Sequence, residues 1–223
     1  MLSIIIPCLN ESDSIQTLLE SLQGARAAGV ELVLADGGSG DNTVALSTPW
    51  VSKVVVTAAG RARQMNAGAA VASGEILWFL HADSVIGEDF PRLIESVMAR
   101  SARPWGRFTV CLSGRHPLLR IVEFMMNWRS RITGIVTGDQ GLFIHRELFV
   151  RMGGFPEIPL MEDIAISKRL RRVSPPLVLP QRLVTSSRRW ETHGIAFTIL
   201  LMWRLRWAYF RGANPADLAQ RYR

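Results

Sequence analysis

Short apolar runs alternate with helical spacing through the first eighty residues. Ser3-Ile4-Ile5-Ile6-Pro7 is a buried-strand pattern ended by a breaker, and Ser12 to Ala28 then repeats apolar positions at Ile15, Leu18, Leu19 and Leu22. That is the spacing of one helix face, and Gly29 stands where the helix should end. Glu31-Leu32-Val33-Leu34-Ala35 predicts a second strand, closed by Asp36-Gly37-Gly38-Ser39-Gly40, with Asp41 positioned to cap a helix through Leu46. Lys53 to Thr57 predicts a third strand, Arg61 to Ser73 a helix ended by Gly74, and Glu75 to Leu80 a fourth strand.

This βαβα alternation predicts an α/β fold: a mainly parallel sheet covered on both faces, with the ligand site outside the carboxyl ends of its strands. The second half is less regular. It predicts a strand over Phe108 to Leu112, an amphipathic stretch from Pro117 to Ile132, a strand near Gly141 to Ile144, a helix from Glu162 to Arg172 and a last strand from Leu177 to Ser186. No repeat and no linker rich in Pro, Gly or Ser interrupts the chain, so residues 1–223 are expected to form one domain.

A chain of 223 residues, 48% hydrophobic, can bury one sizeable core. Its two cysteines, Cys8 and Cys111, match no metal spacing and no disulfide framework, which favours a reducing compartment. The first residues lack a basic leader, so a cytoplasmic protein is expected. The net charge of +7 favours anionic partners. The apolar stretch from Gly194 is cut by Arg204, well short of the roughly 20 residues of a spanning helix. With Arg188, Arg189, Arg204, Arg206 and Arg211 around it, Ile195 to Phe210 suits either an interfacial helix or a packed core helix.

Several polar positions fall where the strands end. Asp36 either accepts hydrogen bonds from a base or ribose or fixes its own turn. Gly60 to Gly68 sets Arg61, Arg63 and Asn66 at a helix start, where guanidinium forks and backbone N–H groups suit phosphate oxygens. Asp83 closes the apolar run Ile76-Leu77-Trp78-Phe79-Leu80 through His81-Ala82, and a divalent cation bridging it to a diphosphate would supply the partner such a carboxylate needs. Glu162 and Asp163 open a helix, where the dipole favours charge and a base could face the crevice. Asp139 and Gln140 form a polar turn that could line an acceptor. After the last strand come Arg188 and Arg189, suited to a leaving diphosphate, Trp190, suited to stacking on a sugar or aglycone, and His193, a weaker candidate for the metal.

In order, Ile4-Ile5-Ile6-Pro7-Cys8-Leu9-Asn10-Glu11, Asp36 to Thr43, Leu80-His81-Ala82-Asp83 and Met161-Glu162-Asp163 resemble the signature of family-2 glycosyltransferases with the GT-A fold, a single Rossmann-like domain with a mostly parallel sheet flanked by helices. The resemblance covers about the first 170 residues. It implies a nucleotide-sugar donor, Mg2+ or Mn2+ at an Asp-x-Asp type motif, and transfer with inversion to a hydroxyl acceptor. Carried over by position, Pro7, Asn10 and Glu11 line the nucleotide, Asp36 contacts the base, Asp83 the metal, and Asp163 is the base catalyst. His81 replaces the first Asp of that motif and is assigned to the donor side. Residues 1–115 would then bind the donor and 116–223 the acceptor. Gly138 to Phe143, Met152 to Glu157 and Ser187 to Trp190 further resemble a compact bacterial subgroup labelled for carotenoid-acid or arsenosugar glycosyl transfer.

Apolar residues in Pro117 to Met126 and Trp203 to Phe210 suit a lipid-like acceptor or a peripheral membrane contact at the inner face of the membrane, and equally suit core packing. A sugar nucleotidyltransferase is the nearest rival, but Asn10-Glu11 stands where that class carries an activating Arg and Lys. No G-x-G-x-x-G follows the first strand, which disfavours a dehydrogenase. A non-catalytic basic module binding nucleic acid or membrane explains the charge but not the ordered acidic strand ends, and no nucleic-acid partner is expected.

Overall fold

The computed structural model describes residues 1–222. The strands are β1 (Leu2–Cys8), β2 (Glu31–Asp36), β3 (Lys53–Val56), β4 (Ile76–Phe79), β5 (Trp105–Leu112), β6 (Phe143–His145) and β7 (Leu177–Thr185). The helices of the first half are α1 (Ile15–Ser21), α2 (Gln23–Ala27), α3 (Thr43–Ser47), α4 (Arg61–Val71) and α5 (Phe90–Arg100). Those of the second are α6 (Pro117–Thr133), α7 (Arg146–Arg151), α8 (Glu162–Leu170), α9 (Arg188–His193), α10 (Ile195–Phe210) and α11 (Pro215–Tyr222).

All seven strands join one sheet in the order β3-β2-β1-β4-β6-β5-β7. Every neighbouring pair is parallel except the two that involve β6. Because β6 runs backwards between β4 and β5, β5 and β7 regain the direction of β1 and β4. The carboxyl ends of β1, β2, β4 and β7 therefore open on one edge, as the alternating first half predicted. Two apolar layers cover the faces, one around Ile4, Ile6, Trp78 and Phe108, the other around Ile5, Leu77, Phe79 and Phe149.

Gly68 lets α4 lie directly on β1, since a Cβ there would meet Ile5 Cγ2 at 2.5 Å. The single helix expected over Ser12 to Ala28 is broken at Leu22. Gln23 covers the break, donating from Nε2 to the carbonyls of Leu19 (2.7 Å) and Trp50 (3.2 Å). β5 begins at Trp105, earlier than its apolar run suggested, because Arg107 is accepted inside the sheet layer. Arg107 donates to the carbonyls of Phe108 (3.0 Å) and Asn127 (3.2 Å), and burial, with Arg131 nearby, lowers its pKa to about 10. Asn127 in turn clamps α6 to β5: its amide accepts from the Val110 N–H (3.0 Å) and donates to the Val110 carbonyl (2.9 Å).

The C-terminal helix is packed on one side only, with Ile195, Ile199, Leu201 and Leu205 in or against apolar clusters. α10 buries only Thr198 and Leu205 and leaves Phe197, Leu200, Trp203, Trp207 and Phe210 each more than half exposed. Among the described residues no helix is long and apolar enough to cross a membrane.

Candidate active site

Three connected spaces lie along the strand-end edge. A cleft of about 490 Å³ runs from Pro7 and Glu11 past the start of α4 to Pro159. It meets a central crevice of about 370 Å³ at Glu11 and Arg61. A third space, a mostly apolar groove of about 540 Å³ between α6 and α10, shares Asp139, Trp190, Met202 and Arg206 with the crevice.

The central crevice gathers His81, Asp83, Asp139, Glu162, Asp163 and Arg61, drawn from four parts of the chain. Asp83 makes no hydrogen bond or ion pair among the described residues, so its carboxylate is open to a ligand of the crevice. Asp163 accepts from the Gly138 N–H (3.2 Å) and from its own helix at Ile164 N–H (2.7 Å). Met161 precedes this pair with φ of 70°, a left-handed conformation costly for a residue with a Cβ. It is held there by burial against Ile135, Ile164 and Leu205, and it turns the helix start toward the crevice.

Burial sets the electrostatics. It raises Asp163, partly offset by Arg206, and raises Glu162 to about 7 with the help of neighbouring Asp163. Both carboxyls are therefore held above the ordinary carboxylate range, the direction that suits a base. Asp139 is also raised by burial against Arg61, Arg206 and Arg129; its side chain remains 41% open to the crevice, so the enclosing walls rather than full contact cause the shift. Burial works against the charge of Arg61, but Glu162 and Asp139 outweigh it. His81 is pushed down to about 3 by burial and Arg61, so at neutral pH it is an uncharged imidazole. Its Nδ1 lies 3.6 Å from Asp139, and its buried Nε2 has no hydrogen-bond partner. Gly138 leaves room for that ring, since a Cβ there would stand 2.5 Å from Nε2.

Not every expected residue enters these spaces. Asp36 is 1% exposed and fixes its own turn, accepting from Gly38 N–H (2.8 Å), Ser39 N–H (2.9 Å) and Ser39 Oγ (2.5 Å). Asn10 braces the same turn through Gly40 N–H (2.9 Å) and Ser39 Oγ (2.9 Å). Asn66 points away from the cleft: its amide exchanges two hydrogen bonds with the backbone of Phe155 (2.8 and 2.9 Å). Gln140 is fully buried as half of a capping box with Thr137. His193 sits exposed at the end of α9, its Nδ1 3.2 Å from the Arg189 carbonyl, and does not line the crevice with Asp83. Arg63 lines the cleft and pairs with Glu157 at 3.1 Å. Arg188, Arg189 and Trp190 do line the crevice, with Arg189 stacked 3.6 Å from the Tyr222 ring centroid. Arg129 and Arg206 were missed by the sequence reading, yet they are the charges that face Asp139 and Asp163 from the α6 and α10 side.

Residues 3–138 match the family model described as glycosyl transferase family 2. The chain belongs to that family. An uncharacterized glycosyltransferase of Mycobacterium tuberculosis is 33% identical over 166 residues, 69% of this chain and 62% of that protein. Poly-beta-1,6-N-acetyl-D-glucosamine synthase of Staphylococcus aureus is 23% identical over 186 residues, 76% of this chain and 45% of that protein. The chain thus spans less than two thirds of the length of these relatives. Among solved structures, S. aureus TarS 1-349 in complex with UDP superposes with a TM-score of 0.69 at 19% identity, covering 83% of this chain and 60% of that one. Glucosyl-3-phosphoglycerate synthase of M. tuberculosis with Mn2+, UDP and glucosyl-3-phosphoglycerate gives 0.62 at 18%, covering 83% and 70%. The chain shares the α/β GT-A fold of these neighbours.

The residues present fit a divalent cation held largely by substrate. No group of three or more His, Cys, Asp or Glu able to hold a metal occurs among the described residues. A magnesium-like ion needs only one or two carboxylates when phosphate oxygens and water complete its shell, and the unpaired Asp83 provides one.

Proposed function

We propose that this glycosyltransferase moves a sugar from a nucleoside-diphosphate sugar to a hydroxyl acceptor with inversion, assisted by Mg2+ or Mn2+. The observation that carries the reading is that Asp83, Arg61 and Asp163 line one crevice, between a polar cleft and an apolar groove. The nucleotide occupies the cleft from Pro7 and Glu11 to Arg61 and Arg63. Asp83 holds the cation, which when bound supplies charge to offset the developing diphosphate.

Asp163 takes the proton from the acceptor hydroxyl as that oxygen forms a bond to the anomeric carbon. The bond from the anomeric carbon to the diphosphate breaks, and its electron pair leaves with the nucleoside diphosphate. The products are the glycoside, the nucleoside diphosphate and protonated Asp163. Glu162, raised to about 7 by burial and by Asp163, stands beside the base, while Arg61 and Arg188 stabilise leaving-group charge, the larger contribution to rate. Neutral His81 does not compete with the cation, and packs against Gly138 beside the donor.

The exposed apolar residues of α6 and α10, interspersed with Arg131, Arg204 and Arg211, support a peripheral contact with an anionic membrane face. The deciding experiment is a panel of nucleotide sugars tested with Mn2+ and Mg2+ for thermal stabilisation and slow hydrolysis. A shift and turnover for at least one donor, dependent on metal, is expected; no stabilisation or hydrolysis by any donor sinks the reading.

A further inference from the structure

The groove between α6 and α10 is walled by apolar side chains, among them Val122, Met125, Trp128, Ile199 and Trp203. Arg129 and Arg206 both line it, and Arg206 and Asp139 stand where it joins the crevice. Neither guanidinium makes a hydrogen bond or ion pair among the described residues, and Arg129 Nε and Nη2 and Arg206 Nε are buried without partners. Two unpaired cations side by side in the lining of an apolar channel repel each other and lose hydration, an arrangement that an anion relieves. Asp139 and Asp163 act on them only at longer range, and the nucleotide cleft lies on the opposite side of the crevice.

Resting on the glycosyltransferase reading above, we infer that the acceptor is an acidic amphiphile. Its apolar body lies in the α6/α10 groove, and its carboxylate or phosphate is held by Arg129 and Arg206 beside the hydroxyl that reaches Asp163. The groove's volume falls within the range that accommodates small lipid-sized ligands. Planar guanidinium forks match both kinds of anion, so either head group satisfies the same chemistry. Arginine here separates acceptors by charge, while the apolar walls separate them by bulk.

The test uses the whole protein and four probes below their micelle concentrations: oleate against oleyl alcohol, and 1-oleoyl-lysophosphatidate against monoolein. Binding is read from tryptophan fluorescence, because Trp128, Trp190 and Trp203 line the groove, and from the melting temperature. Each acid should bind at least about ten-fold more tightly than its uncharged twin, as expected for a charge-assisted contact. Arg129→Met and Arg206→Met should each cut that preference, and Met125→Trp should block acid and neutral probes alike. Arg92→Met, exposed on α5 and outside the groove, should change nothing. Equal binding of acid and neutral twins, a preference unaltered by both Arg129→Met and Arg206→Met, or a loss caused by Arg92→Met overturns the inference. If a methionine variant does not fold, the acid-over-neutral difference in melting temperature of the unaltered protein decides alone. Donor hydrolysis measured on the same preparations reports separately on the transferase reading, since water can replace the acceptor there.

Discussion

Gly138 donates its backbone N–H to the carboxylate of Asp163 at 3.2 Å. This bond joins the turn after α6 to the start of α8. It also holds the charged form of an acid that burial would otherwise neutralise.

If Asp163 is the base, Asp163→Asn should lower the turnover of donor hydrolysis by about 10²- to 10⁴-fold, the usual worth of a positioned base. The affinity for UDP, measured by calorimetry, should stay within a few-fold of normal. Turnover equal to that of the unaltered enzyme would remove Asp163 from the mechanism.

The pH profile should follow the same residue. Proton acceptance requires ionised Asp163, so kcat/KM for donor hydrolysis should fall as pH drops through a pKa raised by burial. Arg206 is the strongest influence favouring its charged form, and Arg206→Met should therefore move the acid limb to higher pH. A shift to lower pH would contradict this assignment.

Glu162 makes a thermodynamic prediction of its own. A carboxyl raised in the folded state to about 7 contributes stability that is complete below its ordinary value and lost as pH rises through about 7. The full effect is on the order of 3 kcal/mol for a shift of this size. Melting temperatures should decline between about pH 5 and about pH 8, and Glu162→Gln should flatten that decline. An identical slope in both proteins would show that Glu162 titrates normally.

Asp83→Asn should weaken Mn2+-dependent UDP binding by more than about ten-fold, since even outer partners of a metal are worth about 10- to 100-fold. Binding measured with chelator present should be unaffected. Loss of affinity under both conditions would mean that Asp83 supports the fold instead of the cation.

Gly68→Ala is the corresponding test of the scaffold. A Cβ 2.5 Å from Ile5 must push α4 off β1, at a cost of about 1–3 kcal/mol. Urea midpoints report it directly, and an unchanged midpoint would show that the helix yields.

The first half was legible because β1, β2 and β4 are buried on both faces and a breaker such as Gly29 separates a helix from the next strand, so hydrophobic runs stand out. Asp83, Glu162 and Asp163 were legible for a related reason: carboxylates at the ends of apolar segments stand out. The spacing of Phe90, Leu93, Ile94, Val97 and Met98 also carries the signal of α5, which the reading passed over. Other features leave no such mark. Arg129 and Arg206 look like solvated charges on amphipathic helices, and only the meeting of α6 with α10 turns them inward. Asn66 sits at a helix start and Gln140 in a polar turn by sequence, but Asn66 is taken up by the distant Phe155 backbone and Gln140 by Thr137 in its own turn and the Asn127 side chain. The reversal of β6 depends on tertiary pairing and not on its three residues.

The Asn127 clamp gives the groove unequal walls. By pairing with both the N–H and the carbonyl of Val110, its amide imitates a neighbouring strand and fastens α6 to the sheet. α10 is held instead by apolar packing, with Ile195 and Ile199 against the α6/β5 cluster and Leu201, Leu205 and Tyr209 against a second cluster around Ile164. If the groove receives the acceptor, apolar substitutions on α10, away from Arg206, should retune its choice without disturbing donor hydrolysis.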